Sequence, residues 1–371
     1  MIKVVHLIGC FNKAGGTERQ LHEIVLHQNS NLKVSVIEFW CKGEFSNELR
    51  KKNIECISLG ARSSIDLIGF IKLFFLLKKL KPDVLNCWLP SANIYGTIIG
   101  KLAGISAIVT SIRNVDDWKS KYYVLLDRAI LRMSNRIIVN SDMAKLYSVK
   151  ELGISESKFI KINNILPTNL LSYNGLSDVK ALKLKLLPDI KGDEIILLSV
   201  NRLHEEKRTM SVLDIFFSLR QEEVLAKLII IGQGEQYEEI NDYCKKSKFK
   251  NDVYLLGWKE NVYDYMSISD IFLLLSLREG VSNSLVEAQY LGLPSIVTNV
   301  GGNSEVVKDN KTGYIVPKYN FESQVIFYIK NLLEDKDKME SFRKESNINI
   351  NKNYSITKTV DAYESLYNSL N

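Results

Sequence analysis

Two glutamates stand eight positions apart in the segment SLREGVSNSLVEA (276–288). Glu279 follows an apolar run of strand length, and Glu287 lies about one turn inside a helix that we expect to start near Ser282 and Asn283. Amides at a helix start attract negative charge, and a partly buried carboxylate requires donors such as sugar hydroxyls. The segment therefore predicts a site for a ligand that carries both hydroxyls and negative charge.

A second group of charges occupies the segment NRLHEEKR (201–208). Arg202 stands where an apolar strand-like run ends, and Lys207 stands where the next helix begins. Two cations beside a helix N-terminus can clamp a diphosphate. From these residues alone, solvated loop charges paired with Glu205 and Glu206 are an equally good interpretation.

A third candidate is the loop NKAGGTER (12–19), which follows the first apolar run. Gly15 and Gly16 would let the backbone approach a ligand closely, and we expect Thr17 to cap the next helix. A tight turn ahead of a helix is the simpler interpretation of the loop by itself. It lacks the G-x-G-x-x-G pattern and is therefore not a dinucleotide fingerprint.

The elements that must position these loops alternate along almost the whole chain, with apolar runs of strand length between amphipathic runs of helix length. Strands that are apolar at nearly every position belong to buried parallel sheets covered by helices. We therefore predict an α/β chain of two Rossmann-like, doubly wound lobes facing each other across a cleft. The predicted strands are 3–8, 33–39, 54–58, 84–87, 107–112, 136–139, 159–162, 195–200, 227–231, 253–256, 271–275, 295–297 and 313–316.

Pro167, Gly175 and several Asn and Ser residues interrupt this alternation with the composition of a linker. A polar, Asn-rich stretch over 349–355 predicts a second break, followed by a helix from about Ser355. The predicted division is an N-terminal lobe over 1–166, a linker over 167–192, a C-terminal lobe over 193–350 and a last helical segment over 351–371.

Composition excludes several classes. The chain has 371 residues, of which 46% are hydrophobic and 25% charged, so it can bury a core without disulfides or metal. The five cysteines are scattered and form no CxxC, which favours a reducing compartment and argues against a zinc site. The start lacks signal-peptide features, and lysines interrupt the apolar stretch 65–80. We therefore expect a cytoplasmic protein.

Charge is distributed unevenly. Residues 1–166 carry 24 Lys and Arg against 14 Asp and Glu, whereas the remainder carries 25 against 29. No nucleic-acid motif accompanies the basic half, so we expect no nucleic-acid partner. We favour an anionic surface at the inner face of the cell membrane, contacted through the apolar, lysine-edged helix around 65–81. Packing of that helix on its own sheet is the alternative.

The segment 276–302, SLREGVSNSLVEAQYLGLPSIVTNVGG, resembles the signature of the retaining nucleotide-sugar glycosyltransferases of family four. The resemblance extends, in the right order, to GGTE (15–18), NRL (201–203) with Lys207, IIGQGE (230–235) and LGW (256–258). It implies the GT-B arrangement, with an acceptor-binding first lobe, a nucleotide-sugar-binding second lobe and a last helix that returns to the first lobe. It also implies a donor that is a nucleotide diphosphate sugar, with a UDP-sugar favoured, and no cofactor.

The resemblance implies a role for each candidate residue. Arg202 and Lys207 match the diphosphate clamp, Glu287 the ribose-binding glutamate, and Glu279 the glutamate beside the donor sugar, which is not a nucleophile. Trp258 and Lys259 fall where the family holds the nucleobase. The expected donor-binding residues are Gly15, Gly16, Arg202, Lys207, Trp258, Lys259, Gly280, Ser282, Asn283, Ser284, Leu285 and Glu287.

Two positions depart from the family pattern. Many relatives carry a histidine after the fifth strand of the first lobe, where this chain has Arg113, and Asn201 replaces a glycine. We expect Arg113 to contact the sugar or the departing phosphate, so the expected catalytic residues are Glu279, Arg202, Lys207 and Arg113. Asp116 and Asp117 are adjacent and form no Asp-x-Asp pattern, so we expect no bound metal ion.

The expected reaction moves a hexose-type sugar, with retention of configuration, to a glycan or lipid-linked acceptor in bacterial surface polysaccharide synthesis. A nucleotide-sugar epimerase or hydrolase of the same fold is the first alternative. A non-catalytic sugar-binding protein would need no diphosphate clamp, and a nicotinamide dehydrogenase would need the missing glycine fingerprint.

Overall fold

The computed structural model describes residues 1–13, 15–63, 66–114, 120–173, 178–191 and 194–371. These residues form two compact units. The first unit comprises Met1–Pro167 and Tyr354–Asn371, and the second comprises Thr168–Asn353. Gly175 of the predicted linker, the first position of the predicted helix 65–81 and the pair Asp116 and Asp117 lie outside the described residues.

A parallel sheet forms the centre of the first unit. Among the described residues its strand order is β3-β2-β1-β4-β5-β6-β7, and each neighbouring pair is parallel. All seven strands predicted for the first half are confirmed. The strands are β1 (Ile2–Ile8), β2 (Leu32–Glu38), β3 (Glu55–Ser58), β4 (Val84–Cys87), β5 (Ala107–Ile112), β6 (Arg136–Val139) and β7 (Phe159–Lys161).

Helices cover both faces of this sheet. Because successive strand residues point to opposite faces, Val4 and Ile8 of β1 enter one core, while Val5 and Leu7 enter another. Because these strands are buried on both faces, they appear in the amino-acid sequence as continuous apolar runs. The helices are α1 (Gly16–His27), α2 (Glu44–Lys51), α3 (Leu67–Leu80), α4 (Leu89–Leu102), α5 (Lys121–Met133) and α6 (Asp142–Leu152).

The second unit repeats the design. Its strand order is β10-β9-β8-β11-β12-β13, again parallel, and all six predicted strands are confirmed. The strands are β8 (Ile195–Val200), β9 (Ala226–Ile231), β10 (Val253–Leu255), β11 (Ile271–Leu274), β12 (Ser295–Thr298) and β13 (Gly313–Val316). The helices are α7 (Thr168–Leu171), α8 (Val179–Leu186), α9 (Thr209–Gln221), α10 (Tyr237–Lys246), α11 (Val262–Ile268), α12 (Asn283–Tyr290), α13 (Asn303–Val306), α14 (Glu322–Glu334) and α15 (Lys336–Asn353).

The predicted break over 349–355 is wrong for most of its length, because α15 continues to Asn353. Asparagines at the start of this stretch and just before it dock the helix: the side-chain amides of Asn347 and Asn349 donate to the carbonyls of Tyr290 and Val306. Ile350 is fully buried. The segment 167–192, predicted as a linker, contributes α7 and α8 to the second unit.

The last helix, α16 (Ile356–Leu370), belongs to the first unit. Ser355 caps it by accepting the amide of Lys358, a residue type that suits the N-cap position. Val360, Tyr363 and Tyr367 of α16 lie in the core that contains Val4 and Ile8. The hydrophobic face of this helix is thus part of the first unit's interior.

A disulfide joins Cys10 and Cys41, directly after β1 and β2. The scattered positions of the cysteines, from which we expected a reducing compartment, did not predict this pair. Its two members are 31 positions apart in the sequence. Pairing of Ile8 with Glu38 at the ends of the two strands brings the cysteines together. Cys56, Cys87 and Cys244 are buried and unpaired.

Helix α3 has two apolar faces. Leu73 and Leu77 are buried against the sheet, whereas Leu67, Ile68 and Phe75 are each 65–71% exposed. Packing on the sheet therefore accounts for only part of its hydrophobic surface. Among the described residues, no helix has both the length and the apolar composition to cross a membrane.

Candidate functional site

A buried ion pair in the second unit joins two of the expected site residues. Lys207 Nζ lies 2.7 Å from Glu279 Oε1, and the two side chains are only 11% and 8% exposed. Ser276 Oγ donates to the same carboxylate oxygen over 2.8 Å. Ser276 and Glu279 come from the loop after β11, and Lys207 comes from the 3₁₀ turn Glu205–Lys207 before α9. The carboxyl ends of β8 and β11 thus meet at this pair.

Further hydrogen bonds hold these loops in register. The amide of Leu277 donates to the Glu206 carbonyl over 2.7 Å. Ser284 Oγ, in the first turn of α12, donates to the Val200 carbonyl, also over 2.7 Å. Each bond connects a residue that follows β11 to one that ends or follows β8, so the relative position of Lys207 and Glu279 is fixed by backbone anchors.

Two glycines permit the close approach of neighbouring loops. Gly301 has a φ of +52°, and a Cβ there would lie 1.9 Å from the Glu279 carbonyl oxygen. A Cβ at Gly232 would lie 1.8 Å from the Asn201 carbonyl oxygen. Any larger residue at either position would displace a loop that carries a candidate site residue.

Helix α12 begins where the sequence predicts. Ser282 is its N-cap, and its Oγ accepts the amide of Leu285, so the expected start near Ser282 and Asn283 is confirmed. Gly280 is buried, and Glu287 is 3% exposed on the helix. A carboxylate accepts hydrogen bonds from polar groups, and a bound hydroxyl group is a donor of that kind.

Arg202 lies apart from the buried pair. Its side chain is 66% exposed, and Nη2 is 3.3 Å from a carboxylate oxygen of Glu206. The interpretation of this segment as solvated loop charges paired with nearby glutamates therefore holds for Arg202. It does not hold for Lys207, which is buried with Glu279.

The expected nucleobase residues stand in the loop after β10. Trp258 is 52% exposed, and Lys259 follows it. Gly257 has a φ of +66° and accepts the amide of Gly232, which connects this loop to the one after β9. An indole exposed to this extent offers a face on which a base can stack.

In the first unit, the expected cap at Thr17 is wrong. Gly15 is the N-cap, and α1 begins at Gly16, so Thr17 lies inside the first turn. A Cβ at position 15 would lie 1.9 Å from Glu18 Oε2. The helix therefore starts two residues earlier than predicted, because glycine leaves room for that carboxylate beside the cap.

Arg113 follows β5 and is partly buried. Its guanidinium carbon lies 4.5 Å from the ring centre of Trp88, and Nη2 donates to the hydroxyl of Tyr363 over 2.5 Å. Nη1 donates to Asn164 Oδ1 over 3.3 Å. Within the part of the chain that the structure describes, the groups in contact with this cation are an indole, an amide and a phenol, all of them neutral.

Sequence reasoning missed several residues that hold the candidates in place. Ser276 precedes Glu279 by three positions at a strand end, a local signal that could have been used. Glu206 was considered only as a counter-charge, although its carbonyl anchors Leu277. Tyr363 is 250 positions from Arg113, and no spacing in the sequence connects them.

Within the described ranges, no group of three or more His, Cys, Asp or Glu residues is arranged to hold a metal ion. The acidic pair 116–117 lies outside those ranges.

Two family models match the chain. The model described as "Glycosyltransferase Family 4" matches residues 14–170, and that described as "Glycosyl transferases group 1" matches residues 187–348. A UDP-Gal:alpha-D-GlcNAc-diphosphoundecaprenol alpha-1,3-galactosyltransferase of Escherichia coli is 26% identical over 81% of this chain and 79% of its own length. The capsular polysaccharide biosynthesis glycosyltransferase CapM of Staphylococcus aureus is 26% identical over 82% and 81%.

Solved structures agree on the fold. HepE from Anabaena in complex with UDP has a TM-score of 0.86 at 18% identity, with 99% of this chain and 100% of that chain covered. Sucrose-phosphate synthase from Thermosynechococcus elongatus has a TM-score of 0.84 at 16% identity, with 100% and 99% covered. The two matched models and the shared fold show that the chain belongs to the GT-B glycosyltransferases of the family-four type.

Proposed function

We propose that this glycosyltransferase transfers a hexose-type sugar from a nucleotide diphosphate donor to a lipid-linked glycan, in bacterial surface polysaccharide synthesis. The observation that carries this proposal is the buried Lys207–Glu279 pair, held where β8 and β11 end and beside the start of α12. In parallel α/β sheets, ligands bind beyond the carboxyl ends of the strands. A nucleotide-sugar epimerase or hydrolase of the same fold is the alternative.

The donor's diphosphate is the group that this arrangement suits. An ammonium has three N–H donors, and the contact with Glu279 uses one of them, so Lys207 can also donate to a phosphate oxygen. The first amides of α12 add the positive end of a helix dipole. The guanidinium of Arg202, which is exposed and lies beside Glu206, turns to the diphosphate when the donor binds.

Three further residues recognise the rest of the nucleotide. Glu287, whose side chain is 3% exposed on α12, accepts hydrogen bonds from the ribose hydroxyls. Trp258 and Lys259 contact the nucleobase. We favour uridine because HepE, whose fold this chain shares, has been solved with UDP and with UDP-glucose.

Bond breaking builds positive charge on the sugar ring and negative charge on the leaving diphosphate. Fixed cations lower this barrier electrostatically, without a metal ion and without an acid that protonates the leaving group. Glu279 orients both Lys207 and the sugar. Attack from the face of the leaving group retains the anomeric configuration, and the departing phosphate accepts the acceptor's proton.

The acceptor proposal is supported by the names of relatives. The Escherichia coli relative acts on a sugar linked to diphosphoundecaprenol. A Campylobacter jejuni relative, 23% identical over 90% of this chain and 91% of its own length, is named as a transferase to a diphospho-undecaprenol-linked sugar. A lipid-linked acceptor places the reaction at a membrane surface.

Helix α3 and helix α4 provide a surface for contact with an anionic membrane. Neither helix contains an acidic residue, and lysines at 72, 78, 79 and 101 accompany their apolar side chains. Phe75 of α3 and Leu102 of α4 are each 65% exposed. Exposed apolar groups edged by lysines suit the interface of an anionic bilayer.

Transfer is tested by incubating the purified protein with UDP-, GDP- and dTDP-hexoses, with and without an undecaprenyl-diphosphate-linked glycan. We expect a UDP-sugar to raise the melting temperature and to yield a glycosylated lipid whose anomeric configuration matches the donor, also in the presence of EDTA. An epimerised or hydrolysed donor without dependence on acceptor would support the alternative. A donor complex with the Arg202 guanidinium turned to bulk water would contradict the clamp.

Membrane contact is tested by sedimentation with vesicles that do or do not contain phosphatidylglycerol. We expect binding to the anionic vesicles only. Phe75→Asp should weaken this binding about tenfold, because a charge replaces an apolar side chain that enters the bilayer interface. Phe327→Asp is the matched control, since Phe327 is 62% exposed in the second unit. Equal effects of the two substitutions would argue against this surface.

A further inference from the structure

The carboxyl edge of the first unit's sheet contains a polar and aromatic cluster that includes part of α16. We call it the Trp88 cluster: His6, Trp88, Arg113, Asn164 and Tyr363. Arg113 is its only cation among these members, and each of the other four contacts another member through a hydrogen bond or a ring contact. The cluster joins β1 and α16 with the residues that follow β4, β5 and β7.

Contacts from three directions fix the guanidinium of Arg113. The Trp88 ring lies under its plane at 4.5 Å, the Tyr363 hydroxyl accepts from Nη2 at 2.5 Å, and Asn164 Oδ1 accepts from Nη1 at 3.3 Å. Nε is buried and has no hydrogen-bond partner among the described residues. Both terminal nitrogens are thus oriented by the protein, and one of the two acceptors is supplied by the last helix.

Trp88 is itself held in place. Its indole N–H donates to His6 Nδ1 over 3.1 Å, and its ring stacks on Tyr363 with 6.0 Å between centroids and 18° between planes. Tyr363 therefore supports Arg113 in two ways. Its hydroxyl accepts a hydrogen bond from the guanidinium, and its ring stacks on the indole that the guanidinium contacts. Burial raises the pKa of the Tyr363 phenol, so the hydroxyl stays neutral and does not cancel the charge of Arg113.

We propose that Tyr363 is a positioning residue for Arg113, and that α16 thereby sets the orientation of a cation that acts on the reacting sugar or the departing diphosphate. This inference rests on the proposed function, in which Arg113 is a catalytic residue. A cation held by neutral groups keeps its full charge for an anionic partner, and its catalytic contribution depends on its orientation.

The chain offers a matched control one turn further along the same helix. Tyr367 is as buried as Tyr363, and its hydroxyl accepts a hydrogen bond from the Asn86 side chain over 2.7 Å. It therefore loses a comparable buried hydrogen bond when changed to phenylalanine, but the bond that it loses does not involve Arg113.

The experiment measures kcat and the donor KM of full-length Tyr363→Phe, Tyr367→Phe, Arg113→Met and the double variant Tyr363→Phe/Arg113→Met. We expect Tyr363→Phe to lower kcat about tenfold with the donor KM within about twofold of wild type. Tyr367→Phe should leave kcat within about twofold. In the Arg113→Met background, Tyr363→Phe should have no further effect on kcat, because its role acts through the guanidinium.

Several outcomes would overturn the inference. Equal losses of kcat in the two tyrosine variants, with equal falls in melting temperature, would indicate a structural role only. A Tyr363→Phe effect of the same size with and without Arg113 would show that the tyrosine does not act through it. Wild-type kcat in Arg113→Met would remove Arg113 from the catalytic residues while leaving transfer intact. Absence of transfer by the wild-type protein would contradict the proposed function as well.

Discussion

The two units have the same kind of parallel sheet but hold their candidate cations differently. In the second unit, Lys207 is buried against the carboxylate of Glu279. In the first unit, Arg113 is held by the neutral side chains of Tyr363, Asn164 and Trp88. A buried cation next to a carboxylate depends on that partner for its stability, whereas a cation among neutral acceptors keeps more of its field for a ligand.

The two cations also differ in how far along the sequence their supporting residues lie. The residues that fix Lys207 come from 200–301, in and beside the second-unit motifs that the resemblance covers. The residues that fix Arg113 include His6 at one end of the chain and Tyr363 at the other. The first unit's candidate site is thus assembled from the whole fold, and the second unit's from neighbouring loops.

The largest expected difference concerns loss of the cation. Lys207→Met leaves the Glu279 carboxylate buried without its partner, and we expect the free energy of unfolding of the second unit to fall by about 3 kcal/mol. Arg113→Met leaves neutral acceptors behind, and we expect the first unit to lose only about 1 kcal/mol. Urea denaturation followed by hydrogen exchange and mass spectrometry measures the two units separately.

Lys246→Met is the control for the loss of a lysine in the second unit, because Lys246 is exposed near the end of α10. It should leave the urea midpoint unchanged. If Arg113→Met destabilised its unit as much as Lys207→Met does, the proposed difference between the two cation environments would be wrong.

A smaller difference is expected on acidification. Burial lowers the pKa of His6 from 6.5 to about 3, and burial also lowers the pKa of His22. The unfolded chain therefore takes up protons that the folded first unit excludes. This stability is complete above pH 6.5 and is lost as the pH falls from 6.5 towards 3, by up to about 1.4 kcal/mol per pH unit for His6.

The measurement is the urea midpoint of each unit between about pH 7.5 and 5.5. We expect a steeper decline in the first unit, because it contains His6 and His22, whose pKa values are lowered by burial. His6→Asn keeps an acceptor for the Trp88 indole but cannot titrate, so the slope should flatten. An unchanged slope in this variant would show that His6 is not the origin of the decline.

The sequence predicted the fold well because the strands are apolar on both faces. Thirteen predicted strands are confirmed, since runs such as Ile195–Val200 have no other stable place than a covered parallel sheet. Helix boundaries depended on side-chain detail. Thr17 was expected as a cap because its residue type is favoured, but the Glu18 carboxylate lies where only a glycine fits before it.

The candidate site was predictable where residue type and spacing suffice. Ser282 as a cap and Glu287 as a buried helical carboxylate follow from the apolar pattern around them. The contact between Lys207 and Glu279 could not be predicted in this way, because the two residues are 72 positions apart and the sequence offered closer counter-charges for Lys207. The disulfide between Cys10 and Cys41 required the register of β1 and β2.

Helix α16 has a consequence for synthesis of the chain on the ribosome. Tyr363 and Tyr367 fill the core of the first unit, but Thr168–Asn353 is translated before them. At about 5 to 20 residues per second, the nascent first unit waits on the order of ten seconds with an open apolar face. The core of the first unit is therefore completed only after the second unit has emerged. A chain truncated before Ile356 would leave this core exposed to chaperones and proteases.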